Sequence, residues 1–281
     1  MRRLFYTLFL LFAVSLVALG CAPLAVPAQS PAPASDEANT GTTTLNVFAA
    51  ASLTDAFDEI GENFAVAHPG AEVVFNFAGS NQLATQIGEG APADVFASAN
   101  NTQMNVAIGT GRIITGTQRT FVRNRLVVVT PSDNPAGLTS LQDLATPGMK
   151  IVFAAKEVPV GQYSLDFLDK AAASGNLGAG FKDGVLANVV SYEENVRVVL
   201  TKVALGEADA GIVYTSDVAA SGEGRVGQIE IPDNLNTIAN YPIAPLGDSP
   251  NPTLAQQFVG YVLAAEGQQI LANYGFIPAS R

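Results

Sequence analysis

The sequence is poor in the side chains on which most enzyme chemistry depends. Its 281 residues include one cysteine, Cys21, one histidine, His68, and no tryptophan. The single cysteine excludes an internal disulfide or a thiolate metal cluster, and its position near the N-terminus excludes a cysteine nucleophile in the folded body. A Ser–His–Asp triad would have to use His68, which precedes Pro69-Gly70 in an expected surface turn, and zinc catalysis lacks ligands.

Motifs of common catalytic sites are missing as well. The sequence contains neither a Gly-x-Ser-x-Gly elbow nor a Gly-x-x-x-x-Gly-Lys-Ser/Thr phosphate loop. A secreted hydrolase that works through carboxylates alone remains open, although no pattern supports it. Asp94 and Asp217 stand far apart in the sequence, and we expect them to be caps or structural acceptors rather than metal ligands. The sequence therefore indicates a binding protein rather than an enzyme.

Charged residues are few and mostly acidic. They make up 14% of the chain against 48% hydrophobic residues, which is typical of a globular protein with one large domain or two modest ones. The formal net charge is −11, and it becomes more negative if Arg2 and Arg3 are removed with a leader. A surface this acidic argues against nucleic acid as a partner. It does not exclude a small anion held by oriented dipoles in a closed site.

The N-terminus resembles a bacterial lipoprotein signal. Arg2 and Arg3 precede an apolar run over 4–19, and Gly20-Cys21 follows. We predict a signal over 1–21 with Cys21 as the lipidated residue, and a flexible tether rich in Pro, Ala, Ser and Thr over 22–43. An ordinary cleaved secretion signal and an uncleaved anchor are the alternatives, although the apolar run is short for a membrane span. The globular part is thus expected outside the cytoplasm, anchored to the cell membrane.

The remaining chain alternates short apolar strands with amphipathic helices. This pattern predicts an α/β fold with largely parallel sheets. Two such series, joined by extended segments, predict a first lobe over 44–126 plus 236–281 and a second lobe over 127–235, with the ligand in the cleft between them. The less regular elements are expected as a helix over 138–144, a strand over 185–191 and a closing helix over 254–274, interrupted near Gly267.

Two serines stand where a predicted strand runs into a predicted helix. Ser52 follows an apolar run that ends at Ala51, and Ser80 follows Phe77-Ala78-Gly79. A hydroxyl at such a junction lies beside the unpaired N–H groups of the first helical turn, which together form an anion site without a positive side chain. The alternative is that each serine is a plain helix cap, since serine is a favoured cap anywhere.

The order and spacing of several motifs resemble the periplasmic molybdate-binding proteins of ABC importers. The resemblance spans about 44–278, and its motifs are Phe48–Leu53, Phe77–Ser80, Gly90–Val95, Val158–Tyr163, Glu194–Arg197, Gly211–Asp217 and Tyr274–Phe276. It implies a type II-like periplasmic binding protein fold, in which each lobe is a mixed, mostly parallel sheet flanked by helices and two extended crossovers form the hinge. It also implies a monomer that needs no cofactor and delivers its ligand to ABC permease and ATPase subunits.

The same resemblance implies which residues hold the oxyanion. Ser52 and Ser80 correspond to residues that contribute a hydroxyl and an N–H, Val160 and Val196 to residues that contribute a main-chain N–H, and Tyr214 to a phenol. Molybdate or tungstate would be held through its oxygens, with no direct metal–protein bond. The alternatives are sulfate or another tetrahedral oxyanion as ligand, or an adhesion or sensor module of the same fold.

Two residues of these motifs have competing interpretations. Tyr214 is either a ligand-binding phenol or a core tyrosine whose hydroxyl finds a carbonyl. Arg197 is either a direct anion ligand or the partner of Glu194 at a helix start, and the spacing favours the pair.

Overall fold

The computed structural model describes residues 41–279. Cys21, the predicted signal and nearly all of the predicted tether lie outside these residues. Within 41–279, none of the helices combines the length and the apolar character needed to cross a bilayer.

The described residues form strands that alternate with helices, as the sequence pattern predicts. The strands are β1 (Thr43–Ala50), β2 (Ala71–Ala78), β3 (Val95–Ala97), β4 (Arg119–Asn124), β5 (Leu126–Pro131), β6 (Ile151–Ala154), β7 (Val189–Glu193), β8 (Ala210–Tyr214), β9 (Val226–Glu230), β10 (Ala239–Pro245) and β11 (Ile277–Pro278). The α-helices are α1 (Thr54–Ala67), α2 (Ser80–Gly88), α3 (Asn101–Gly109), α4 (Pro159–Ser174), α5 (Phe181–Ala187), α6 (Val196–Ala204), α7 (Thr215–Ser221), α8 (Pro252–Leu263) and α9 (Ala265–Asn273). Short 3-10 helices cover Ala51–Leu53 and Leu141–Ala145.

The strands form two mixed sheets. The first has six strands in the order β11-β4-β10-β3-β1-β2, and β1 runs parallel to β2 and β3 while β10 is antiparallel to β3 and β4. The second has five strands in the order β7-β6-β8-β5-β9, with β6 parallel to β7 and β8. The chain passes from the first sheet to the second between β4 and β5, and it returns between β9 and β10. These crossings lie near the predicted lobe limits, which themselves stay a prediction.

Helix α1 shows how the sequence pattern generates the packing. Ala56, Phe57, Ile60 and Phe64 recur at the spacing of one helical face, and all are buried against the first sheet. Gly61 lies on the same face, where a Cβ atom would stand 2.6 Å from the Phe75 ring of β2. The helix therefore packs closely on the sheet and fixes the position of the junction that precedes it.

Three element predictions are wrong in detail. The segment over 138–144 forms only the 3-10 helix Leu141–Ala145, whose first turn is closed by the Asp143 carboxylate accepting from the Ser140 N–H at 2.8 Å. The predicted strand over 185–191 is split into α5 and β7, because Phe181 and Val185 bury one helical face before the strand begins. The closing helix breaks at Ala264 rather than at Gly267. The glycine instead allows close packing, since a Cβ atom there would lie 2.4 Å from the Tyr261 carbonyl oxygen.

Candidate functional site

The first predicted site residue, Ser52, lies in the turn between β1 and α1. The strand ends at Ala50, and the 3-10 helix Ala51–Leu53 carries the chain directly into α1. Ser52 is buried, and its Oγ lies 2.9 Å from the Tyr241 hydroxyl of β10. The hydroxyl caps neither helix, so the interpretation of Ser52 as a plain helix cap is wrong.

Ser80 occupies the matching junction between β2 and α2. Gly79 takes the N-cap position, and Ser80 is the first helical residue, so this serine is not a plain cap either. Its buried Oγ accepts a hydrogen bond from the Ala99 N–H at 3.0 Å. The serine hydrogen is therefore available to a different acceptor.

The second sheet contributes two helix beginnings. Val160 lies in the first turn of α4, directly after Pro159, and Val196 is the first residue of α6. The first N–H groups of a helix have no acceptor within it. At α6 the Asn195 side chain accepts from the N–H groups of Arg197 and Val198 at 2.9 and 3.1 Å, and this cap leaves the Val196 N–H free for another acceptor.

Tyr214 ends β8 and has a fully buried phenol. Its hydroxyl finds no hydrogen-bond partner among residues 41–279, so the alternative of a core tyrosine bonded to a carbonyl is wrong. Burial raises the pKa of this phenol well above its ordinary value, and the neighbouring Tyr241, Tyr163 and Asp217 raise it further. The group is therefore protonated at neutral pH and able to donate. An unpartnered buried donor normally has a functional explanation.

All the predicted ligand residues line one small cavity between the two sheets. Its other lining residues are Ala50, Ala51, Ala78, Gly79, Ala99, Val158, Pro159 and Asn195. The cavity is small, with about 10 Å³ open to a water-sized sphere, which is about the room that one water molecule needs. The lining contains no charged side chain. Hydroxyls and the beginnings of helices from both sheets thus surround a space suited to a small anion.

Arg197 lies close to the cavity but does not line it. Its Nε lies 3.2 Å from the Ala51 carbonyl oxygen and 3.2 Å from Asp217 Oδ1, and its Nη2 pairs with Asp55. The predicted pairing with Glu194 is wrong, because the Glu194 carboxylate instead accepts from the Gln82 side chain at 3.4 Å. Arg197 therefore ties α6 of the second sheet to the Ser52 junction of the first, and its charge is directed to carboxylates.

The acidic residues serve structural roles, as expected. Asp217 is fully buried and accepts from the Tyr214 N–H at 3.0 Å, while Asp94 accepts from the Asn46 N–H at 2.7 Å. Burial raises the pKa of Asp217 to about 6, although Arg197 and the Tyr214 N–H act in the opposite direction. Within 41–279 no group of three or more His, Cys, Asp or Glu residues is arranged to hold a metal ion. His68 is partly exposed and stacks on Phe64 at 4.0 Å.

Comparison with known proteins agrees with this geometry. The family model of the bacterial extracellular solute-binding proteins matches residues 45–277. The chain belongs to this family.

Individual solute-binding proteins show how far the likeness extends. The molybdate-binding protein ModA of Mycobacterium tuberculosis is 40% identical to this chain over 250 residues, which are 89% of each protein. The periplasmic molybdate-binding protein of Azotobacter vinelandii has a solved structure that superposes with a TM-score of 0.72 at 21% identity, covering 84% of this chain and 100% of that one. The sulfate-binding protein SubI of M. tuberculosis gives 0.75 at 17% identity, covering 85% and 88%. Because both identities are below 25%, these two structures show that the fold is shared and carry no argument about the ligand.

Membership in the solute-binding proteins confirms several predictions from the sequence. The resemblance to molybdate-binding proteins is confirmed by the 40% identical relative, and the two-lobed α/β fold is confirmed by the solved structures. The family acts outside the cytoplasm, and its members are binding proteins rather than enzymes. The roles of Ser52, Ser80, Val160, Val196 and Tyr214 in binding stay predictions, although the structure brings them together.

Two buried polar residues next to the cavity, Tyr241 and Asn124, have no recognisable signal in the sequence. Tyr241 lies in a mostly apolar strand, and Asn124 ends β4, a strand that the sequence pattern did not reveal. Both are fully buried, and they connect to Ser52 and to α7 by hydrogen bonds. Only the sheet order, which places β10 between β3 and β4, brings them to the site.

Proposed function

We propose that this solute-binding protein captures molybdate, and also tungstate, outside the cytoplasm and delivers it to the permease and ATPase subunits of an ABC importer. The observation that carries the proposal is the cavity itself, whose lining combines hydroxyl-bearing residues and residues at helix beginnings from both sheets and includes no charged side chain. The 40% identical relative named as a molybdate-binding protein supports the choice of ligand. No cofactor is required, because capture and release involve no covalent chemistry.

The donors fit the chemistry of molybdate. This ion is a tetrahedral dianion at neutral pH that accepts hydrogen bonds and cannot donate one. In the proposed complex, Ser52, Ser80 and Tyr214 donate through their hydroxyls, and Val160 and Val196 donate through the main chain. Hydrogen bonds to a charged group contribute about 1.5–3 kcal/mol each, so several of them offset the cost of removing the dianion from water. The protein contacts only the oxygens of the ion and makes no direct bond to the metal.

The arrangement also explains why binding would close the lobes. Ser52 and Ser80 follow strands of the first sheet, whereas Val160, Val196 and Tyr214 belong to the second. A ligand that bonds to both sets stabilises the closed conformation relative to the open one. The closed protein then presents one defined surface to the permease.

Titration calorimetry with a panel of oxyanions tests this function. We expect molybdate and tungstate to bind tightly, hydrogen phosphate to bind very weakly because it needs an acceptor, and sulfate to bind more weakly because it is smaller. Equal affinities for sulfate and molybdate would make sulfate or a general tetrahedral oxyanion the ligand. No binding of any oxyanion, together with turnover of a substrate, would favour the hydrolase alternative.

We further propose that Cys21 carries the lipid that anchors the mature protein, a monomer, to the outer face of the cell membrane. The support is the sequence of residues 1–21 and the polar, proline-rich segment after it. The wild-type protein should incorporate a labelled fatty acid, whereas a Cys21→Ser variant should not. Absence of label from the wild-type protein, or equal labelling of both proteins, would contradict lipidation at this residue.

A further inference from the structure

Tyr241 is a buried tyrosine behind Ser52. Its ring packs edge-to-face against Phe121, Tyr214 and Phe276, with ring centroids 5.6–6.4 Å apart. Its hydroxyl does not line the cavity but lies 2.9 Å from Ser52 Oγ. Burial raises the pKa of this phenol, so it keeps its proton at neutral pH. Either hydroxyl could donate across this contact, and the surrounding groups decide which one does.

The side-chain amide of Asn124 sets the direction of that hydrogen bond. Its oxygen accepts from the Arg125 N–H at 3.0 Å and from the Thr215 hydroxyl at 3.1 Å, which fixes the orientation of the amide. Its Nδ2 then donates to the Ser216 hydroxyl at 2.7 Å and faces the Tyr241 hydroxyl at 3.5 Å.

A donor thus faces the phenol oxygen, and within 41–279 Ser52 Oγ is the acceptor at hydrogen-bonding distance from the phenol. With an anion in the cavity, donation from Tyr241 to Ser52 lets both hydroxyl hydrogens find an acceptor, whereas donation from Ser52 to Tyr241 would deprive the anion of this donor and the buried phenol of its acceptor. Tyr241 therefore donates and Ser52 accepts.

We propose that Tyr241 is a positioning residue that makes Ser52 a hydrogen-bond donor toward the cavity and thereby makes the site selective for oxyanions that carry no proton. An oxygen that accepts from Tyr241 turns its own hydrogen elsewhere, and the cavity is the open direction. The Ser80 hydroxyl is oriented in the same way, because its oxygen accepts from the Ala99 N–H at 3.0 Å. The inference rests on the proposed function and adds to it the residue that turns the Ser52 hydrogen toward the ligand, which is Tyr241.

Tyr241→Phe tests this role, because it keeps the packed ring and removes only the hydroxyl. We expect molybdate to bind about tenfold more weakly, since Ser52 is then free to turn its hydrogen away from the ligand. Selenate and hydrogen arsenate are tetrahedral dianions of similar size, and of the two only hydrogen arsenate carries an O–H group, so they serve as matched probes. Their affinity ratio should fall several-fold in Tyr241→Phe and stay unchanged in Tyr261→Phe, a control that removes a hydroxyl remote from the cavity.

A double-mutant cycle separates positioning from a general structural effect. In a Ser52→Ala background, Tyr241→Phe should change molybdate affinity by less than about twofold, because the residue it orients is absent. A loss of the same size in both backgrounds would overturn the inference, since Tyr241 would then act without Ser52.

The wild-type protein supplies a measurement that does not depend on any variant folding. At a pH where both probes are dianions, selenate should bind at least tenfold more tightly than hydrogen arsenate. Equal binding of the two would overturn the inference even if molybdate binds tightly and the proposed function stands. Failure of the wild-type protein to bind molybdate at all would instead overturn the proposed function, and the inference with it.

Discussion

Replacing Ser80 by alanine should separate two tasks that the structure assigns to one hydroxyl. The side chain accepts the Ala99 N–H at 3.0 Å and has its hydrogen free for the cavity. Losing a charge-assisted donor should weaken molybdate binding by about 1.5–3 kcal/mol, which is roughly a 10- to 150-fold rise in Kd. Leaving the buried Ala99 N–H unpaired should also lower the free energy of unfolding by about 1–3 kcal/mol. Calorimetry measures the first quantity, and urea unfolding without ligand measures the second.

Ser98→Ala is the matched control for this experiment. Ser98 is equally buried, and within 41–279 its hydroxyl bonds only to the main chain of Asn100, at 2.8 and 3.3 Å. It does not line the cavity. It should lose a comparable amount of stability while its affinity for molybdate changes by less than about twofold. Unchanged affinity in Ser80→Ala, or an equal loss of affinity in Ser98→Ala, would refute the assignment of the Ser80 hydroxyl to the ligand.

Other perturbations should act on the contact between the sheets and on its charges. A Cβ atom on Gly79 would lie 2.6 Å from the Glu194 carbonyl oxygen across the cleft. Gly79→Ala should therefore weaken molybdate binding at least tenfold, while its free energy of unfolding without ligand stays within about 1 kcal/mol of the wild-type value. Unchanged affinity would contradict closure at this contact. Burial raises the pKa of Asp217 to about 6 in the folded protein, from an ordinary value of 3.8. The stability that the protonated carboxyl contributes is therefore fully present below pH 3.8 and is lost as the pH rises through 6. Asp217→Asn should remove this loss, which amounts to up to about 3 kcal/mol in the free energy of unfolding. The same pH dependence of unfolding in the variant and in the wild-type protein would contradict this prediction. Arg197→Gln leaves the Asp217 carboxylate without its cation and breaks the ion pair with Asp55. Urea unfolding should show about 3 kcal/mol of destabilisation. A loss below about 1 kcal/mol would contradict the structural role of these two ion pairs.

The parts of the site that follow local rules could be predicted from the sequence. The sequence indicates Ser52 and Ser80 because an apolar strand, a small polar residue and an amphipathic helix follow one another directly, and the structure has those junctions. Val160 and Val196 came only from the resemblance to a family, because a main-chain N–H leaves no mark on residue identity. The fold followed from the alternation of strands and helices, which the hydrophobic pattern records.

The parts that depend on long-range contacts could not be predicted. The sequence favours a pair between Arg197 and Glu194 because they are close along the chain, yet the partner Asp55 is 142 positions away from Arg197. Tyr241 has no local signature, and only the neighbouring strands β3 and β4 give its hydroxyl a role. A sequence displays which groups are available, whereas the sheet order decides which of them meet.

The most direct test of the central claim is a crystal structure of the protein with tungstate, using the anomalous scattering of tungsten to locate the ion. We predict one strong peak in the cavity between the sheets, with its oxygens within hydrogen-bonding distance of Ser52, Ser80 and Tyr214 and of the main chain at Val160 and Val196. A peak elsewhere, or an ion held by the Arg197 guanidinium, would contradict a site built from uncharged donors.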